Sequence, residues 1–330
     1  MPPLDLSVVK PTSDRIASPR VTRTGAGMLS DQDRYRLNDN RDKKFVDELY
    51  EEWYDGASGD RRSGTDADTW EDVYGLMGVG SAGYLKKAID TMEVWDFVRQ
   101  GQTDGYVVEN QGAEDDPPVE FWRGLSGGDY FRVLKSPSGS LSAEDVRNRS
   151  RRLIVNLNSQ EAGLRVAKAL TPLFKDPTLG DNFSQFKVYL SSKAYPNQPV
   201  KNDKMVVYYV VGEDADGSGA DAVGDKLIST IDGAIRPGDA NISVSPFYSR
   251  LTEAVSWAEE AEEYMSVEER QSFTMSRAKV IASVLQDNPN VRDAAELETL
   301  IKKAFQDKGI RAEARHRHMP PPPFTPPPVT

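Results

Sequence analysis

No cysteine occurs anywhere in the 330 residues. Disulfides, zinc–thiolate sites and thiol nucleophiles are therefore excluded. Histidine is nearly as scarce. His316 and His318 are the only two, both in the C-terminal stretch, so a serine–histidine triad has almost nothing to draw on. No apolar run approaches the ~20 residues that span a bilayer. The polar start, "MPPLDLSVVKPTSDR", lacks the basic-then-apolar order of a signal peptide. Basic charge is also in deficit, with 41 Lys and Arg against 52 Asp and Glu for a net −11. That balance argues against a nucleic-acid partner, which would require a dense basic footprint. The absences together predict a cytoplasmic protein with no membrane anchor, metal or other cofactor. A type III secretion signal would present a similar polar N-terminus.

What is present suffices for a substantial core, since 38% of the residues are hydrophobic. Residues 1–29 show no period and read as disordered. Residues 30–128 read as mainly helical. There, "KKFVDELYEEWYDG" brings Phe45, Leu49, Tyr50, Trp53 and Tyr54 onto one face of a helix ending near Gly56. "SAGYLKKAIDTMEVWDFV" reads as a second helix, with Leu85, Ile89, Met92 and Trp95 or Val98 turned inward. "GYVVEN" and "DYFRVLK" read as brief strands.

Residues 129–309 carry the sharper pattern. "RLIVNLN" (152–158) is a strand, and "SQEAGLRVAKALTPLF" is a helix with Ser159 as its N-cap. "FKVYL" (186–190) and "KMVVYYVV" (204–211) are strands, the latter apolar on both faces and therefore central. "AVGDKLISTIDGAI" spaces Val223, Leu227, Ile231 and Ile235 by four, a helix, and "NISV" suggests a further short strand. The order β-α-β-β-α-β predicts an α+β fold: a mixed or antiparallel sheet around a split βαβ core, with two helices on one face. Two more helices follow, near 274–286 and 291–308, the last stopped by Gly309. The proline-rich tail, 310–330, reads as unfolded with polyproline character.

Motif matches are weak. "GVGSAG" (78–83) satisfies a dinucleotide fingerprint, but "WEDVYGLM" before it is a poor parallel strand, and a helix–turn–helix junction is the better account. "GLSGG" (124–128) resembles a nucleophile elbow without a histidine to serve it. "DADGSGADAVGD" (214–225) has calcium-loop spacing but ends in Asp225 and follows a strand, so a solvated loop is expected. "EEAEEY" (259–264) reads as a solvated helix face.

"FKVYLSSKAYPNQPVKNDKMVVYY" (186–209) is the odd stretch, placing Lys187, Lys193, Lys201 and Lys204 on and between two strands of an acidic chain. Period two puts Phe186, Val188 and Leu190 on one face and Lys187 and Tyr189 on the other. In the earlier strand Leu153, Val155 and Leu157 share a face, leaving Arg152, Ile154, Asn156 and Asn158 opposite. Were these strands neighbours, Arg152, Asn156 and Lys187 would share a surface. Arg132, Lys135, Lys201, Lys204 and Arg277 would add to it from loops and a helix. Clustered cations with amide donors suit a phosphoryl group. They equally suit the polar face of a half-exposed sheet.

Three stretches resemble a known family over about 150–286. They are "RLIVNLNSQEAGLRVAKAL", "FKVYLSSKAY" with "KNDKMVVYY" (Phe186, Lys187, Asp203, Val206, Tyr208), and "PFYSRLTEAVSWAEE" with "QSFTMSRAKVIASVL". The last contributes Pro246, Leu251, Ala258, Glu259, Glu260, Ser272, Phe273 and Arg277. This order is similar to the plant-pathogen type III effector HopA family, whose bacterial relatives occur in lanthipeptide and thioamitide biosynthesis. Three departures stand out: Lys201 where Arg is usual, Thr274 in place of Gly, and no Pro after Glu260. A lysine keeps the charge at 201 but loses the planar bidentate fork.

For the biosynthetic branch, the resemblance implies a phospho-Ser/Thr lyase working beside a separate kinase on a precursor peptide and leaving dehydroalanine or dehydrobutyrine. Such an elimination needs a base for a weakly acidic Cα proton, cations for the leaving phosphate, and donors for an enolate-like carbonyl. On this reading Lys187 is the base. Arg152, Asn156, Lys201, Lys204 and Arg277 hold the phosphate and peptide, and Asp203 and Glu260 orient the cations. The alternative is a non-catalytic effector or a protein that binds the peptide or its kinase. Convergence of Arg152, Lys187 and Arg277 in one cleft discriminates the two.

Overall fold

The computed structural model describes residues 31–62, 70–78, 89–110, 130–137, 139, 141, 149–190, 202–212, 221–260 and 271–319. Among them are helices α1 (Asp31–Trp53), α2 (Trp70–Gly78) and α3 (Thr91–Asp104), and strands β1 (Tyr106–Asn110), β2 (Tyr130–Lys135) and β3 (Ser150–Val155). Then follow α4 (Gln160–Leu170), a short 3₁₀ turn (Thr171–Lys175), β4 (Phe183–Tyr189), β5 (Met205–Val210) and α5 (Ala222–Ala234). The remainder comprises β6 (Ser249–Arg250), β7 (Val255–Glu259), α6 (Phe273–Asp287) and α7 (Ala294–Asp307).

The seven strands form one sheet in the order β1-β2-β4-β5-β3-β7-β6, and every pairing is antiparallel. The split βαβ unit is present as β3-α4-β4-β5-α5-β7. Its fourth strand is "VSWAE" at β7, whereas the expected strand "NISV" (241–244) is irregular. Fully buried on both faces, β7 shows no alternation, so it carries no period to read. β5 is central, as its two-sided apolar pattern requires.

Each face of the sheet carries its own core. Leu153, Val155, Phe186, Val188 and Val207 pack beneath α4 and α5, together with Val94 and Phe97 of α3. On the opposite face Ile154, Val206 and Ala258 meet α1, α2, α6 and α7 through Phe45, Leu49, Val73, Phe273, Ile281 and Phe305. Burying each such side chain contributes roughly 1.5–3 kcal/mol, so the two cores clamp the sheet from both sides.

Local signals set most of the boundaries. Ser159 caps α4 by accepting from the Ala162 N–H, and Gly309, at φ 75°, ends the α7 turn in a left-handed conformation that favours glycine. α3 begins later than its periodicity suggests. Asp90 accepts from the Met92 N–H as N-cap, so Ile89 precedes the helix, Met92 is 58% exposed, and Val94 and Phe97 face inward instead. Leu85 lies outside the described residues.

The expected unfolded tail is corrected over 310–319. This segment folds back, with Ile310 bridging His318 and the His316 carbonyl accepting from the Glu259 N–H. Arg315, Arg317 and His318 are buried. Residues 1–30 and 320–330 lie outside the described set. No helix among the described residues is long and apolar enough to cross a membrane.

Candidate active site

Strand register gathers the polar residues onto the face of the sheet shared with α1, α2 and α6. Arg132 of β2 stands opposite Lys187 of β4. Gln185 of β4 stands opposite Tyr208 of β5, which stands opposite Arg152 of β3. With side chains alternating along each strand, these five share one face. They line a cleft of about 500 Å³, with Glu260, Ser272 and Asp181 at its wall.

The Arg152 guanidinium is held from several sides. Its Nε and Nη2 donate to Glu260, the latter at 2.6 Å, and Nη1 donates to the Tyr248 hydroxyl at 3.5 Å. Its centre lies 5.4 Å from the Tyr208 ring and 6.0 Å from the Phe273 ring. Burial works against this charge, and the Glu260 carboxylate more than offsets it, so Arg152 stays protonated. Lys187 Nζ sits 4.4 Å from the Tyr130 ring centroid, within cation–π range. The Tyr130 hydroxyl in turn donates to the Asp203 carboxylate at 2.9 Å and to its carbonyl at 2.7 Å. Tyr130 thus meets Asp203 through its hydroxyl and Lys187 through its ring. Arg132 donates to Gln185 Oε1 at 3.0 Å.

Other expected site residues lie elsewhere. Arg277, on α6, is fully buried and does not line the cleft. Its guanidinium donates to the Arg315 carbonyl, at 2.9 Å from Nη2, and lies 3.8 Å over the Phe273 ring. The expected convergence of Arg152, Lys187 and Arg277 in one cleft therefore fails at Arg277, which takes one of its three named cations from the lyase reading. Asn156 and Lys204 are on the expected face but buried beyond the end of β3, where Lys204 Nζ donates to Asn156 Oδ1 at 3.3 Å. Neither lines the cleft. Lys135 pairs with Asp181 at 2.7 Å. Lys193 and Lys201 lie outside the described residues, as do the elbow-like "GLSGG" and most of the calcium-like loop. Asp221, inside that loop's spacing, is the N-cap of α5 and the acceptor of the Tyr209 hydroxyl.

The two histidines are structural members of the fold. Glu259 accepts from the His318 N–H at 2.6 Å and pairs with Arg151 and Arg317. Burial, then the surrounding arginines, holds both imidazoles well below their usual pKa. Among the described residues no three His, Asp or Glu side chains gather as a metal site would require. Tyr130, Gln185 and Tyr208 were missed as site residues. Gln185 falls outside the strand expected at 186–190, which begins at Phe183, and the strand carrying Tyr208 reads as apolar on both faces.

A model of the HopA1 effector protein family matches residues 138–317, over half of the chain. The chain belongs to the HopA1 effector protein family. The solved structure of the effector protein from Pseudomonas syringae pv. tomato strain DC3000 is similar in fold, with a TM-score of 0.58 at 13% identity, covering 87% of this chain and 99% of that one. The effector protein from Pseudomonas syringae pv. syringae strain 61 aligns with a TM-score of 0.56 at 15% identity and the same coverage. No curated protein matches the chain. The HopA1 match includes β3 through α7, and therefore Arg152, Lys187, Tyr208 and Glu260; Arg132 lies before it.

Proposed function

We propose that this cleft is the active site of a phospho-Ser/Thr lyase acting on a phosphorylated peptide delivered by a separate kinase. One observation carries the reading: Arg132 and Lys187 are cross-strand partners lining the same cleft as Arg152. A base and two guanidinium groups thereby face one space large enough for a phosphorylated side chain. Lys187 Nζ takes the Cα proton, that electron pair becomes the Cα=Cβ bond, and the Cβ–O bond breaks. The phosphate leaves with the electrons of that bond, received by Arg132 and by Arg152. Positioned general bases contribute about 10²–10⁴-fold, so Lys187→Ala is expected to remove elimination to that extent.

The test is mass spectrometry of a phosphoserine and phosphothreonine peptide pool incubated with the wild type and with Lys187→Ala. Dehydro residues that a thiol traps, formed by the wild type and lost in the variant, support the reading. Their absence with the partner kinase and its own precursor supplied would overturn it.

A second reading draws on a different observation. Glu260 already occupies the fork of Arg152, and Arg277 is committed to the Arg315 carbonyl. Cations already engaged inside the fold have little left to receive a leaving phosphate, which suits a protein that binds the peptide or its kinase without chemistry. Retention of intact phosphopeptides by both wild type and Lys187→Ala would favour it.

A further inference from the structure

Two tyrosines line the cleft and others stand near it, several with engaged hydroxyls. Tyr130 donates to Asp203, Tyr209 to Asp221, and Tyr248 meets Thr274 and Arg152. Tyr208 differs. It lines the cleft between Gln185 and Arg152, yet no protein group among the described residues accepts from or donates to its hydroxyl. Its ring lies 5.4 Å from the Arg152 guanidinium and packs against the core of the second face. A half-buried phenol lining the cleft, with no described protein partner for its hydroxyl, has a donor to offer a substrate.

Resting on the lyase reading, we infer that Tyr208 is a catalytic residue whose phenol donates a hydrogen bond to the substrate carbonyl oxygen on which negative charge gathers as the Cα proton leaves. The chemistry requires such a donor, since removal of a Cα proton places charge on the adjacent carbonyl as an enolate. The register supplies the position. Tyr208 and Lys187 are diagonal neighbours on one face, at the ~7–8 Å typical of such pairs. That separation lets the base reach the Cα hydrogen while the phenol meets the carbonyl of the same residue. Burial, first, pushes the phenol up to about 12, with Arg152 pulling it down. It therefore stays protonated through the neutral range and acts as a donor, leaving proton abstraction to Lys187.

Tyr208→Phe tests this directly, because it removes only the hydroxyl and keeps the ring beneath Arg152. The experiment compares wild type and variant on the phosphothreonine peptide that the wild type converts fastest, scoring dehydro product. The expected result is a kcat lower by about 10²-fold, the effect of deleting one oxyanion donor, with KM within about two-fold. The far-ultraviolet spectrum and melting temperature should match the wild type. An active wild type with an equally active Tyr208→Phe overturns the role of Tyr208 and leaves the lyase standing. A raised KM at unchanged kcat also overturns it, since the phenol would then serve ground-state binding alone. A wild type with no elimination on any peptide removes the lyase reading itself, and this inference with it.

Discussion

Lys204 is 1% exposed, and burial pushes its ammonium down to about 8 despite the pull of Asp203. A lysine with a lowered folded pKa binds fewer protons than the unfolded chain between those two values. Its contribution to stability is therefore fully present above the unfolded value near 10.5 and is lost as pH falls to about 8. Lys204→Met is expected to flatten the rise of unfolding free energy between pH 8 and 10, read by urea denaturation. At pH 7 it removes a penalty on the order of 3 kcal/mol, set against roughly 1–3 kcal/mol for leaving Asn156 without its donor. An unchanged slope would contradict the buried placement. Much of the residue-scale site was legible beforehand. Alternation along "FKVYL" and "RLIVNLN" set Lys187 and Arg152 apart from the apolar faces, and the two share a face of the sheet, though across the intervening β5 and not as neighbouring strands. The depth of Asn156, Lys204 and Arg277 was not legible. Period two assigns a face, whereas their burial comes from Ser243, α2 and the C-terminal segment, all remote in sequence.

The C-terminal segment is the element that sequence reasoning placed worst. "RAEARHRH" has neither an apolar stripe nor a period, and its prolines continue beyond it, so it resembles unfolded chain. It is held instead by charges supplied from far away: Glu259 to Arg317 and the His318 N–H, Glu298 and Asp42 to Arg315, and Arg277 to the Arg315 carbonyl. A pairing scheme spread over Asp42, Glu259 and Glu298 leaves no local signature. A chain ending at Gly309 would strip partners from Glu259 and Arg277, and breaking one such buried pair costs about 3–5 kcal/mol. The expected outcome is a markedly lower melting temperature, or no cooperative unfolding by calorimetry. An unaltered melting temperature would show the segment to be dispensable. The histidines add a pH sign. Both are held low in the folded state, so their contribution is present above the unfolded pKa near 6.5 and lost as acid protonates them among the arginines. By contrast Ser159, Gly309 and the Val223–Leu227–Ile231 spacing were readable because their determinants are local.

Across the whole molecule, an acidic chain of net −11 encloses a cleft lined by Arg132, Arg152 and Lys187. On the lyase reading, low-dielectric walls would focus the field of these cations on a dianionic phosphate, against the Glu260 and Asp181 carboxylates that share the lining. The split βαβ core was legible from strand and helix order. The flanking cores were not, because β1, β6 and the helices of the second face show their pairing only in three dimensions. The central claim is that the cleft breaks the carbon–oxygen bond of a phosphorylated side chain. The most direct measurement follows released phosphate by mass spectrometry when the wild type meets a phosphothreonine peptide in heavy-oxygen water. Elimination predicts phosphate free of solvent oxygen beside a dehydrated peptide. Solvent oxygen in the phosphate beside a restored threonine would mean phosphorus–oxygen hydrolysis, and would contradict the account.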